Sequence, residues 1–261
     1  MSSQRLLLLT SALLGLWQGG GTGSEAPPRE ATEAGATAEE IVTRLIQENA
    51  HRDQLLAGFV VSRRYQLKNE LTNKEATMEV DVSFRAPAEL SFDIRSQQGS
   101  GFLARRVFGR MMEGERESLE PEAKRRSAVT PENYQITLAG EETVFGRRVF
   151  VLEITPRRED TFLFTGRVWI DAQEFAVVQA EGTVPKRPSF WTRRIDFRRT
   201  FKKVGPFWLP ERTESVTEVL LFGTSWVSIS NGDYRVRLNT AGYAAGATQP
   251  QRPCLYAPPG N

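Results

Sequence analysis

The chain has 261 residues, with 34 Lys or Arg against 32 Asp or Glu and a net charge of +2, so no whole-molecule field argues for nucleic acid or for a strongly charged partner. A single Cys and a single His exclude an intrachain disulfide and deprive a zinc site of its usual ligands. With its two ends set aside the chain is long enough for one domain of about 200 residues with a substantial core.

The first elements are a leader and a helix. Arg5 precedes an apolar run from Leu6 to Leu16, and small residues follow from Gly19 to Ser24. This is the pattern of a secretory signal peptide, because a membrane span needs about 20 apolar residues and no second such run follows. Cleavage is expected between residues 19 and 26, and residues 25–36, rich in Pro, Glu and Ala, form a disordered linker. Thr37 and Glu40 then make a capping box. Ile41, Val42, Leu45 and Ile46 recur at helical spacing behind it, and His51 falls on the surface near the helix end.

From Phe59 the period changes to two. Phe59, Val61, Tyr65 and Leu67 share one face of a strand, with Ser62, Arg64, Gln66 and Lys68 on the other. Met78, Val80, Val82 and Phe84 alternate with Thr77, Glu79, Asp81 and Ser83 in a second strand. Leu90, Phe92 and Ile94 form a third after Pro87. Seven more segments, at about 134–139, 147–155, 161–170, 174–183, 190–204, 211–222 and 225–236, continue the pattern to ten strands. Mainly antiparallel β structure with some helix follows, as a curved open sheet or barrel. In the segment 190–204, Trp191, Ile195, Phe197 and Phe201 lie on the same side as Arg193, Arg199 and Lys203, while Arg194, Arg198 and Lys202 point the other way. The basic doublets therefore make no continuous basic face, and a nucleic-acid partner is not expected.

The segment 97–131 breaks the β pattern. Leu103, Val107 and Met111 fall at i, i+4 and i+8, with Phe102 beside them, as one side of an amphipathic helix. Glu113 to Arg126 is so highly charged that it is expected to be solvated, and Glu113, Glu115 and Glu117 read as a charge run rather than catalytic carboxylates. His51 has no serine motif around it, and Gly99 and Gly101 lead into no phosphate cradle. No catalytic residue, metal or cofactor is expected, and so no enzyme. Two arrangements remain open: a cavity for an acyl chain with cations at its rim, or helices that plug the sheet as an ordinary dry core. Residues 239–261, rich in Ala, Gly, Pro and Gln, are expected to be disordered.

Several stretches together resemble the outer-membrane lipoprotein-sorting proteins, the family of the periplasmic lipoprotein carrier LolA. They are the helix Ala38 to Leu45, the run Phe84-Arg85-Ala86-Pro87-Ala88-Glu89-Leu90-Ser91-Phe92, Val149 to Pro156, Gly166 to Asp171, and Phe207-Trp208-Leu209-Pro210. The resemblance implies an incomplete antiparallel β-barrel over residues 37–238, with helices covering a concave apolar face. It also implies a periplasmic protein that takes lipid or lipoprotein acyl chains without a cofactor, and possible exchange with an envelope membrane protein. On that basis Met78, Val80, Val82, Phe84, Leu90, Phe92, Trp191, Ile195, Phe197 and Phe201 are the expected cavity face. Phe102, Leu103, Val107 and Met111 are the expected lid, within 97–131. Carriers of this type often place an inward arginine directly before the proline, where this chain has Ala86; Arg85 is expected to point outward. The same fold serves in envelope-stress sensors that bind a membrane-bound regulator, usually with a second domain.

Overall fold

A computed structural model describes residues 36–184, 192–219 and 223–239. The first helix, α1 (Ala38–Leu55), begins at the capping box: the Thr37 hydroxyl accepts from the Glu40 amide at 3.2 Å and the Glu40 carboxylate accepts from the Thr37 amide at 2.8 Å. Its buried stripe runs through Ile41, Val42, Leu45, Asn49 and Arg52. Arg52 fixes the far end of the helix by donating to Asn49 and to the backbone carbonyls of Glu174 and Phe175.

Eleven strands form one antiparallel sheet: β1 (Leu56–Asn69), β2 (Lys74–Arg85), β3 (Glu89–Gly99), β4 (Tyr134–Val144), β5 (Arg147–Pro156), β6 (Thr165–Asp171), β7 (Val177–Thr183), β8 (Thr192–Val204), β9 (Phe207–Val219), β10 (Gly223–Asn231) and β11 (Arg235–Leu238). Their order is β3-β2-β1-β10-β9-β8-β7-β6-β5-β4, with β11 also on β1. The sheet curls without closing, which leaves β3 and β4 as its edges. Alternation places Ala76, Met78, Val80 and Val82 inward on β2 and Ile195, Phe197, Arg199 and Phe201 inward on β8, while Arg194 and Arg198 stay outside. Gly166 and Gly182 face each other across β6 and β7, where a Cβ on Gly166 would sit 2.0 Å from the Glu181 carbonyl oxygen. Only glycine allows so close an approach at that point of the curl.

Several strand boundaries differ from the sequence expectation, β4 running on to Val144 and β6 starting only at Thr165, and two of the differences have identifiable reasons. The strand expected over 225–236 is two strands: β10 pairs with Arg63–Asn69 of β1, the chain breaks at Gly232–Tyr234, and β11 resumes on Leu56–Val60. The break turns the Tyr234 ring inward against Phe59. β9 starts at Phe207 rather than at Glu211, after a tight reversal at Gly205 and Pro206 in which Gly205 has φ +59°. Pro210 is tolerated because the β8–β9 register shifts there.

The segment between β3 and β4 is helical. The second helix, α2, consists of an opening turn (Gly101–Leu103), a π-helical stretch (Ala104–Phe108) and an α-helix (Gly109–Ser118). A short α3 (Pro121–Ser127) follows. Among the described residues no helix is long and apolar enough to cross a membrane. The two principal helices divide the concave face. α1 packs on the half built from β4 to β8, with Val149, Leu152, Ile170, Ile195 and Phe197 in its cluster. α2 packs on the other half, where Phe59, Val61, Tyr65, Met78, Val80 and Val82 meet Phe108 and Met111.

Candidate functional site

The face that α2 presents to the sheet is Ala104, Phe108, Met111, Met112 and Glu115, the first three fully buried. Leu103 and Val107 flank this stripe half-buried, and Phe102 is 64% exposed, so it is no part of the seated face. Sequence spacing alone allowed either phase, because Leu103/Val107 and Ala104/Phe108 are both apolar pairs four apart. Phe108 decides it: its ring lies 5.3 Å from that of Tyr65 on β1.

Glu115 corrects the expectation of a solvated charge run, since it is only 3% exposed. Both of its carboxylate oxygens accept from Arg63 Nη1 at 2.7 Å. Arg63 occupies an inward position of β1 between Val61 and Tyr65, and it also donates to the Tyr65 hydroxyl at 3.0 Å and to Asn231 Oδ1 at 2.7 Å. Burial opposes its charge, and the field of Glu115 and of the Tyr65 and Tyr234 hydroxyls more than offsets this, so Arg63 is held more firmly protonated than usual. Lys124, Ala123 and Ser127 of α3 are buried as well, while Glu113, Arg116, Glu117, Glu120, Glu122, Arg125 and Arg126 are exposed, as expected of a solvated run. The two charges that do turn inward are Glu115, which has a partner in Arg63, and Lys124, which lies against a cavity.

Arg199, on the inner face of β8, is a second buried guanidinium at 3% exposure. Its Nε donates to the Thr213 hydroxyl at 2.9 Å, while its Nη1 is buried without a hydrogen-bond partner. Burial and the neighbouring Arg63 pull its pKa down to about 10 against the attraction of Glu115. It is still charged at neutral pH.

A cavity of about 170 Å³ opens at the seam between the two halves of the core. Leu56, Phe59, Phe84, Leu90, Leu209 and Tyr234 make its apolar wall, and Phe201 and Trp208 reach it from the other half. Phe59 stacks on Phe84 at 5.3 Å and meets Tyr234 edge-on at the same distance. Asp53, Arg63, Glu115 and Lys124 supply its polar lining, and the turn Ala86–Pro87 closes one side. A wider concavity of about 570 Å³ elsewhere on the sheet is lined by Leu67, Ala76, Phe197, Val216, Trp226 and Val227, with Lys68, Glu75, Asp196, Arg198 and Glu214 interleaved among them. No group of three or more His, Cys, Asp or Glu among the described residues could hold a metal ion.

The expected cavity face is therefore divided by the structure. Phe84, Leu90 and Phe201 line the cavity. Met78, Val80 and Val82 are buried beneath α2, with Phe92 half-buried beside them under the Arg116 guanidinium. Ile195 and Phe197 lie in the opposite cluster, where Phe197 meets Phe164 edge-on at 4.9 Å. Trp191 lies outside the described residues, as do the leader and most of the two terminal segments. Arg85 points outward and is exposed beside Glu89. Ala86, directly before Pro87, offers no side chain that could reach a helix, whereas Arg63 of the neighbouring strand β1 reaches α2 at Glu115. Arg63 and Glu115 were missed as site residues, although each falls in phase with an apolar stripe.

No protein-family model matches the chain, and no curated protein does. Solved structures similar to it include a DUF1329 family protein from Desulfovibrio piger, 12% identical over 77% of this chain and 93% of that one, with a TM-score of 0.40. A domain from Vibrio parahaemolyticus assigned to outer membrane lipoprotein sorting is 13% identical over 77% and 93%, at 0.39. A LolA superfamily protein from Nitrosomonas europaea is 14% identical over 77% and 94%, at 0.35. Likeness at this level says nothing about function, which rests on the site's own geometry.

Proposed function

We propose that the protein is a periplasmic carrier that takes acyl chains of lipids or lipoproteins between α2 and the concave sheet, without chemical change to them. The observation that carries this reading is the way α2 is seated. Its contacts with the sheet are apolar apart from two: the buried ion pair of Arg63 with Glu115, on the wall of an apolar cavity, and the exposed Arg116, which donates to the Leu90 carbonyl at 3.2 Å and lies over the Phe92 ring. Apolar contacts made by Phe108, Met111 and Met112 can be exchanged for those of a hydrocarbon chain at little net cost. Methionine is suited to that exchange because its side chain repacks readily. The cavity of about 170 Å³ is smaller than the ~300–1,000 Å³ of ordinary ligand sites. Loading therefore requires α2 to lift, with Arg63–Glu115 as the latch. Export is supported by the apolar run Leu6 to Leu16 and the small residues after it.

Titration with a fluorescent fatty-acyl probe tests the carrier reading. Saturable binding near one probe per chain is expected, together with altered amide exchange in residues 101–118. Absence of binding at micromolar probe would refute it.

A further inference from the structure

The interior of the barrel holds more positive charge than its own folding requires. Arg63 and Arg199 are both buried on the inner face of the sheet; Glu115 is hydrogen-bonded to Arg63 and its field also reaches Arg199, and Asp53 is the other carboxylate on the cavity wall. Lys124, buried on the wall of the same cavity, forms no ion pair among the described residues. Arg199 faces Thr213 with one nitrogen and leaves Nη1 without any partner. An uncompensated buried cation is costly, and an apolar side chain of similar volume is often more stable in such a place. Its retention points to a partner that is absent from the empty protein.

We propose that the ligand carries an acidic head, a carboxylate or a phosphate monoester, and that this head replaces Glu115 between Arg63 and Arg199 when α2 lifts. This rests on the carrier reading and names the chemical class of its ligand. The exchange is of one anion for another: Glu115 leaves with α2 for water as the incoming head arrives, so Arg63 keeps an anionic partner while the latch is released. The head also gains what Glu115 does not make, a charge-assisted hydrogen bond from Arg199 Nη1. The apolar tail then lies along Phe59, Phe84 and Leu90, on the surface that α2 vacates.

The test displaces a fluorescent acyl probe with matched pairs below their micellar concentrations: oleate against oleyl alcohol, and 1-oleoyl lysophosphatidate against 1-oleoyl glycerol. Each acid is expected to displace the probe at a concentration about tenfold or more below its neutral counterpart. The acid with the larger advantage identifies the head. In Arg199→Met, which removes a buried cation and is expected to fold, the acid-to-neutral ratio should fall toward one. The parent protein alone decides the matter should that variant not fold. Equal displacement by acid and neutral lipid on the parent overturns the acidic head and leaves the carrier standing. Failure of any lipid or probe to bind overturns both.

Discussion

Replacing Glu115 by Gln perturbs the latch with almost no change in volume. The side chain it alters is 3% exposed and accepts two 2.7 Å hydrogen bonds from a guanidinium that is itself 5% exposed. Removing one charge of a buried pair typically costs ~3–5 kcal/mol, because the partner is left uncompensated. Here the second cation, Arg199, aggravates the loss. The amide keeps an acceptor for Arg63, so the lower figure of ~3 kcal/mol is expected. Two outcomes follow according to where the energy is lost. Should α2 open on its own, amide exchange across residues 101–118 accelerates about a hundredfold while the sheet is unaffected. Should α2 and sheet unfold together, the urea midpoint falls and Tm drops by about 6–12 °C. A double-mutant cycle with Arg63→Met separates the pair from its surroundings, with an expected coupling energy of at least ~2 kcal/mol. Additive single effects, with a coupling below about 0.5 kcal/mol, would refute the latch.

Other substitutions divide core from cavity. Phe197→Ala should lose ~3–5 kcal/mol in urea unfolding, as for a packed core phenylalanine, with little change in probe affinity, because Phe197 packs on Phe164 away from the cavity. Phe84→Ala, half-buried on the cavity wall, should reverse that balance and weaken probe binding for a smaller loss of stability. Asp171→Asn should lose ~1–3 kcal/mol at pH 7, since the carboxylate accepts from Arg147 and from the amides of Gln173 and Glu174. Burial works to raise its pKa, and these donors overcome that and hold it below the usual 3.8. The stabilisation is therefore full above pH 3.8 and is lost as pH falls through the folded value; equal deficits at pH 7 and pH 2.5 would contradict it. N-terminal sequencing of the envelope fraction should find a chain starting between residues 19 and 27, and recovery of the uncut chain in the cytoplasm would refute export.

Much of the architecture was legible in the sequence because it is written in local terms. The capping box at Thr37 and Glu40 starts a helix whatever lies beyond it, and strict alternation in Met78, Val80 and Val82 decides which side of β2 is buried. The reversal at Gly205 and Pro206 is likewise a property of those two residues. Composition could not show that the last strand breaks at Gly232, because that break depends on how β1 is shared between β10 and β11. Nor could it set the phase of α2, where two apolar pairs four residues apart compete until Tyr65 receives Phe108. The candidate site was the least legible part. Arg63 and Glu115 stand 52 residues apart, and each alone reads as an ordinary surface charge among many. Burying the Arg63 charge in its ion pair depends on its partner being brought to it, and in this chain that partner comes from the helix laid over the strand.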